Sequence, residues 1–349
     1  MTIKYPVWAC ILAVVAAACV STPAPTPAPR ASAPATAPLS AASASPTATP
    51  LPTPSPTPAP AYYVVWTLDF EGDAASDQAL ANTAAIADEL HIPTTVLWNP
   101  RAWTTTSVTA ERAAAMLRWT RDRAAKGDEV GLHLHMWTDF VRAAGVAPRT
   151  APSWAARGDG YDVPMTSYSE DDQRKLIAYG LKLMADHGVS GVTSFRAGGD
   201  IADAATLRAL VANGIGVDCT AVAAGSFGSL RLPWTLRSDA QPYHPARDDA
   251  NSSGDLPILE APTNGGNTYG YTTLSIVPIA RADLAMLGPP GRPATRSKAI
   301  VIVSHPATID AVEHAAIESL LRSFDPYRAD TAGGPLRFVT LRDLARLWR

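Results

Sequence analysis

Asp128-Glu129-Val130-Gly131-Leu132-His133-Leu134-His135-Met136-Trp137 is the stretch on which the fold turns. Apolar residues alternate along it with a period of two, which predicts a β-strand whose residues two apart share a face, their Cα atoms about 6.5 Å apart. His133 and His135 then stand side by side at the strand's C-terminal end. Two imidazoles at that spacing can converge on one cation about 2.0–2.1 Å from each nitrogen. The alternative is a pair of strand-end histidines that hold nothing.

Working outward, the same alternation of strand and helix repeats. Tyr62 to Asp69 is an aromatic and β-branched run that predicts a strand, residues 75–90 carry apolar residues at helical spacing, Ile92 to Trp98 predicts a second strand and Ala110 to Ala125 a second helix. Beyond the histidine strand, residues 170–187 predict a helix opened by Ser169 and the acids Glu170, Asp171 and Asp172, which suit a helix N-terminus. Gly191 to Phe195, Ile215 to Asp218, Leu256 to Glu260, Ala299 to Ser304 and Leu336 to Thr340 read as further strands, with helices at 202–212, 310–323 and 341–348. Alternating units imply a parallel sheet, and seven or eight of them in this length suit a (β/α) barrel. An open doubly wound sheet is the competing architecture, but no glycine-rich nucleotide loop supports it. Irregular stretches at 137–168 and 221–255 are long enough to be functional loops.

In such folds the site lies at the C-terminal ends of the strands. Those ends carry Asp69-Phe70-Glu71-Gly72-Asp73, then His133 and His135, then Arg196 through Asp200, then Asp218, Glu260 and His305. Only 17% of residues are charged, so six polar strand ends suggest one constellation. Carboxylates with two histidines can hold Zn²⁺ or a similar divalent ion, a second carboxylate can take a proton from water, and a separate histidine can protonate a leaving group.

The bulk numbers exclude other classes. A net charge of −3 without any basic cluster gives no nucleic-acid footprint. Of three cysteines, Cys10 and Cys19 lie in the N-terminal apolar stretch, which leaves Cys219 alone and excludes an internal disulfide framework. Lys4 followed by the apolar run from Val7 to Ala18 predicts a signal peptide over residues 1–19. The sequence Ala16-Ala17-Ala18-Cys19 resembles a lipobox, which implies lipidation of Cys19 and a membrane-anchored envelope protein; cleavage at the alanines and release is the alternative. Residues 20–61 form a linker: 13 of the 31 prolines fall in 21–61, with almost no charge and no aromatic before Tyr62, a composition that cannot bury a core.

Thr67-Leu68-Asp69-Phe70-Glu71, Gly127 through His135, Ser194-Phe195-Arg196-Ala197-Gly198 and Ser304-His305-Pro306 occur in the order found in polysaccharide deacetylases, the NodB-homology or carbohydrate esterase family 4 enzymes. The resemblance spans residues 62–349 and implies a distorted (β/α)7-type barrel that removes acetyl groups from an acetylated glycan with a divalent metal, Zn²⁺ above all. It implies Asp69 as catalytic base, Arg196 as its supporting arginine, His305 as catalytic acid and His133 as the first metal histidine. The family's metal carboxylate usually follows the base directly, where this chain has Phe70; Glu71 is the nearest carboxylate and Asp73 the alternative. Its second histidine usually lies four residues on, where this chain has Trp137, so His135 takes that role. Ala197 and Gly198 match the place of an oxyanion-binding amide, and Trp137, Trp154, Tyr161 and Tyr168 are candidate sugar platforms. A non-catalytic glycan-binding lipoprotein on the same barrel is the rival reading, and another metal-dependent amidase a third.

Overall fold

A computed structural model describes residues 59–348. The expected signal peptide, Cys19 and nearly all of the linker lie outside these residues. Among the described residues, no helix is long and apolar enough to cross a membrane.

Eight strands build one sheet: β1 (Tyr62–Asp69), β2 (Thr95–Trp98), β3 (Glu129–Leu134), β4 (Ser194–Ala197), β5 (Val217–Asp218), β6 (Leu259–Glu260), β7 (Lys298–Ser304) and β8 (Leu336–Phe338). All pair in parallel, in the order β6-β5-β4-β3-β2-β1-β7, with β8 also against β1. Of the nine α-helices among the described residues, the seven longest are α1 (Asp77–Leu90), α2 (Ala110–Ala125), α3 (Glu170–Asp186), α4 (Ala204–Ala212), α5 (Val277–Met286), α6 (Ala311–Arg322) and α7 (Leu341–Leu347). This is the distorted (β/α)7 barrel that the alternation and the resemblance imply.

β1 is the axis of the sheet, and every one of its residues is buried, as a strand covered on both faces must be. β7 pairs with it from Tyr62 to Leu68. On its other edge, Tyr62–Val64 pair with β8 and Thr67–Asp69 with β2. The barrel wall between β6 and β7 is completed by irregular chain: Gly265 N–H donates to Val301 O, Thr268 N–H to Val303 O, and Val303 N–H to Gly266 O. The Asn264 side chain adds bonds to Ala299 O and Val301 N–H.

Helix starts follow side-chain chemistry. Ser76, Thr109, Ser169 and Asp310 cap α1, α2, α3 and α6, and Asp203 with Thr206 forms a capping box at α4. Several boundaries differ from the sequence reading, two of them for a visible reason. β2 begins at Thr95 because Ile92 is spent closing α1: His91 adopts φ 52° and Ile92 N–H reaches back to Ala87 O. β4 begins at Ser194, after the left-handed Gly191. The stretch 221–255 contains two small hairpins, Ser226–Arg231 and Pro245–Ser253.

Candidate active site and metal centre

β1, β3, β4 and β7 deliver Asp69, His133, Arg196 and Ser304–His305 to the same end of the sheet, because parallel strands in register end together. Glu71 and His135 follow just past the ends of β1 and β3. All six expected site residues line one cavity of about 50 Å³.

His133 and His135 share a face, their ring centroids 4.9 Å apart. Each imidazole is fixed through Nδ1 to a backbone carbonyl, His133 to Arg196 O at 3.0 Å and His135 to Tyr161 O at 2.7 Å. A carbonyl can only accept, so Nδ1 of each ring carries a proton and Nε2 is the atom left to meet a ligand. Both Nε2 atoms face Glu71 Oε2, at 3.6 Å from His133 and 2.5 Å from His135. His133 Nε2 and Glu71 Oε2 are sealed from solvent with no hydrogen-bond partner. Three Lewis bases aimed at one point repel unless a cation or a proton stands between them. Two imidazoles and a carboxylate, each imidazole backed by a hydrogen bond at its far nitrogen, fit a divalent ion such as Zn²⁺. Burial opposes ionisation of Glu71, but His135, His133 and His305 together hold its carboxyl well below the usual range.

Asp73, the alternative carboxylate, is turned away. It is half exposed and paired with Arg101 at 2.7 Å. Gly72 at φ 85° breaks the extended run that would have put residues 69, 71 and 73 on one face.

Arg196 is fully buried and engaged on every side. Its Nη1 donates to Asp69 Oδ1 at 2.9 Å and Thr67 Oγ1 at 2.7 Å, Nη2 to Thr263 Oγ1 at 2.6 Å, and Nε to Cys219 O at 3.1 Å. Asp69 therefore presents Oδ2 to the cavity, 4.0 Å from His133 Nδ1. His305 Nε2 lies 3.2 Å from Glu71 Oε1. Burial works against a charged His305, but Glu71 and Asp69 outweigh it and raise its pKa. Ser304 anchors this strand end by accepting from Trp66 Nε1 and sharing a hydrogen bond with Thr268.

The structure amends several other expectations. Asp218 and Glu260 are outside the cavity; they are buried side by side in paired register, where burial pushes Asp218 up to about 6 and Glu260 well above the ordinary range. Ala197 N–H is taken by Thr220 Oγ1 and is not free for an oxyanion. Of the four candidate sugar platforms, Trp154 and Tyr161 line the cavity. Trp137 is buried beneath Arg101, and Tyr168 is buried with its hydroxyl accepting from Arg149 N–H. Trp137 has another role: its Nε1 donates to Glu71 O at 3.0 Å, holding the backbone of the carboxylate ligand.

Sequence reasoning gave no role to three residues. Arg101 ties the loop after β1 in place through Gly72 O, Asp73 and Asp139. Phe227, on the 226–231 hairpin, lines the cavity and packs against Trp154. Asp200 also lines it, its carboxyl pushed up to about 6 by burial against the pull of Arg196. Its place at a charged strand end was the one available signal.

No family model and no curated protein matches the sequence. Solved structures do match. A protein assigned provisionally as a polysaccharide deacetylase, from Mycobacterium smegmatis, superimposes with a TM-score of 0.52 at 16% identity, covering 86% of this chain and 93% of that one. A protein assigned provisionally as a glycoside hydrolase/deacetylase, from Parabacteroides distasonis, gives 0.52 at 11% identity, covering 83% and 72%. At these identities the likeness establishes a shared fold.

Proposed function

We propose that this protein is a metal-dependent hydrolase that removes acetyl groups from an acetylated cell-envelope or extracellular polysaccharide. The observation that carries the reading is the convergence of Glu71, His133 and His135 beside the Asp69–Arg196 pair and His305 in one cavity at the C-terminal end of the sheet. A non-catalytic binder needs no base, acid and anchored arginine in those places, and the fold is one found in structures assigned as deacetylases.

Glu71, His133 and His135 would hold the ion. A divalent metal there, Zn²⁺ by the donor set, supplies a water of lowered pKa and polarises the acetyl carbonyl. Arg196 fixes Asp69 through Oδ1, so Oδ2 is the oxygen that takes the proton from the attacking water. His305 gives a proton to the departing atom of the sugar. Backbone amides of the Gly198–Gly199 turn would meet the negative charge that develops on the acetyl oxygen. The lipobox-like Ala16-Ala17-Ala18-Cys19 and the proline-rich linker support an anchored protein whose catalytic part reaches its glycan at the envelope.

The test is acetate release by the full chain, with metal content measured alongside. Asp69→Asn and His305→Ala should each lower turnover about 10²–10⁴-fold with the fold intact. Activity that survives complete removal of metal would overturn the mechanism.

A further inference from the structure

Glu71 is shared between two groups of donors. Its Oε2 faces His133 and His135, and its Oε1 lies 3.2 Å from His305 Nε2. Asp69 completes the second group: one ligand atom from each of Asp69, Glu71 and His305 falls within 4.8 Å of the other two. Two donors about 2.0–2.2 Å from one ion stand roughly 3–3.5 Å apart, so the 3.2 Å between Glu71 and His305 suits a cation held by both. Asp69 has an oxygen left for that cation. Its Oδ1 accepts from Arg196 at 2.9 Å, while Oδ2 faces the cavity, 4.0 Å from His133 Nδ1. A carboxylate carries lone pairs on both oxygens, so Glu71 can serve one ion on each side.

The two groups differ in strength. In the first, both imidazoles are backed at Nδ1 by a carbonyl. In the second, His305 Nδ1 is sealed from solvent with no hydrogen-bond partner, and the guanidinium of Arg196, bonded to Asp69, repels a cation. Loss of the bond behind a ligating imidazole costs about 10–100-fold in metal affinity, so the second group fills after the first. We propose that Asp69, Glu71 and His305 form a second, weaker divalent-cation site whose filling silences the enzyme. An ion there occupies the Asp69 oxygen that takes a proton from water and the His305 nitrogen that delivers one, so base and acid are withdrawn together. Excess metal is then an inhibitor.

The site stands on geometry, whereas the inhibition rests on the hydrolase reading, and the experiment separates the two. The full chain is stripped of metal and titrated with Zn²⁺ by calorimetry, bound metal is counted after equilibrium dialysis, and acetate release is followed over the same range. The wild type should take up a tight ion and then a weak one. His305→Ala and Asp69→Asn should each keep the tight ion, which reports an intact fold, and lose the weak one. Acetate release by the wild type should peak as the tight site fills and fall about 10²-fold or more as the weak site does. A single ion at saturation, a weak ion that both variants keep, or full activity with both ions bound overturns the inference. If the wild type releases no acetate at any metal load, the hydrolase reading fails by itself, and the ion count then decides: a weak ion lost in both variants supports the site, and one kept in both overturns it.

Discussion

His133 and His135 reach one point because each ring is steered by a carbonyl from a different segment, Arg196 O from β4 and Tyr161 O from the 137–168 stretch. Glu71 is steered less directly, through the indole N–H of Trp137 on its own carbonyl. Trp137→Phe keeps the ring beneath Arg101 and removes that bond, so metal affinity or activity should fall about 10–100-fold with little loss of stability, checked by metal titration and a thermal melt. Gly198→Ala forces a methyl into the His135 ring; metal binding should be lost, whereas alanine at Gly127, where a Cβ would meet nothing, should leave metal binding intact. The left-handed φ of 107° at Gly127 makes that control a cost to stability alone. His305 carries a raised pKa because the attraction of Glu71 and Asp69 exceeds the burial cost. In the metal-free protein its ring should therefore titrate on the alkaline side of the ordinary imidazole value of about 6.5, which NMR of the chelated chain checks.

The longest helix that sequence periodicity missed is α5. Val277, Ile279, Ala280 and Leu284 are only half-buried, and the one fully covered residue of the helix is Asp283, so no apolar stripe announces it. Asp283 Oδ2 has no hydrogen-bond partner, and burial pushes its carboxyl up to about 8. A folded-state value above the unfolded value of about 3.9 means that the folded state holds the proton more tightly. The stability this gives is complete below about pH 4 and is lost as pH rises towards 8. Asp283→Asn should therefore match the wild type in stability near pH 4 and exceed it near pH 8, by about 2 kcal/mol. Thermal melts across that range check the sign. The buried Asp218–Glu260 pair at the ends of β5 and β6 has the same direction, since two adjacent carboxylates without a counter-ion in contact retain a shared proton.

Across the whole molecule, the site exists because a parallel sheet gathers the ends of β1, β3, β4 and β7 on one side, and chelation of the full chain should report on that gathering. Metal removal should abolish acetate release and lower the melting temperature, since Glu71, His133 and His135 would be left facing one another. Much of this architecture was legible. Period-two and helical spacing located most strands and helices of the sheet, because burial is written into local pattern, and the polar strand ends held the six site residues among others, from which the resemblance to the deacetylases picked them out. Spacing could not say which carboxylate after Asp69 would turn inward. Residues 69, 71 and 73 share a face only while the chain stays extended, and the turn at Gly72 together with Arg101, delivered from the chain after β2, sends Asp73 outward and leaves Glu71 within. Nor could it say that Asp218 and Glu260 would sink behind the site, or that Asp200 would line it, because those outcomes depend on how deeply each strand end sits and on contacts from distant segments. The sequence by itself determined the strand–helix alternation and the chemistry available at the strand ends. Only the tertiary structure decided which of those groups face one another, because the selecting contacts join residues far apart along the chain.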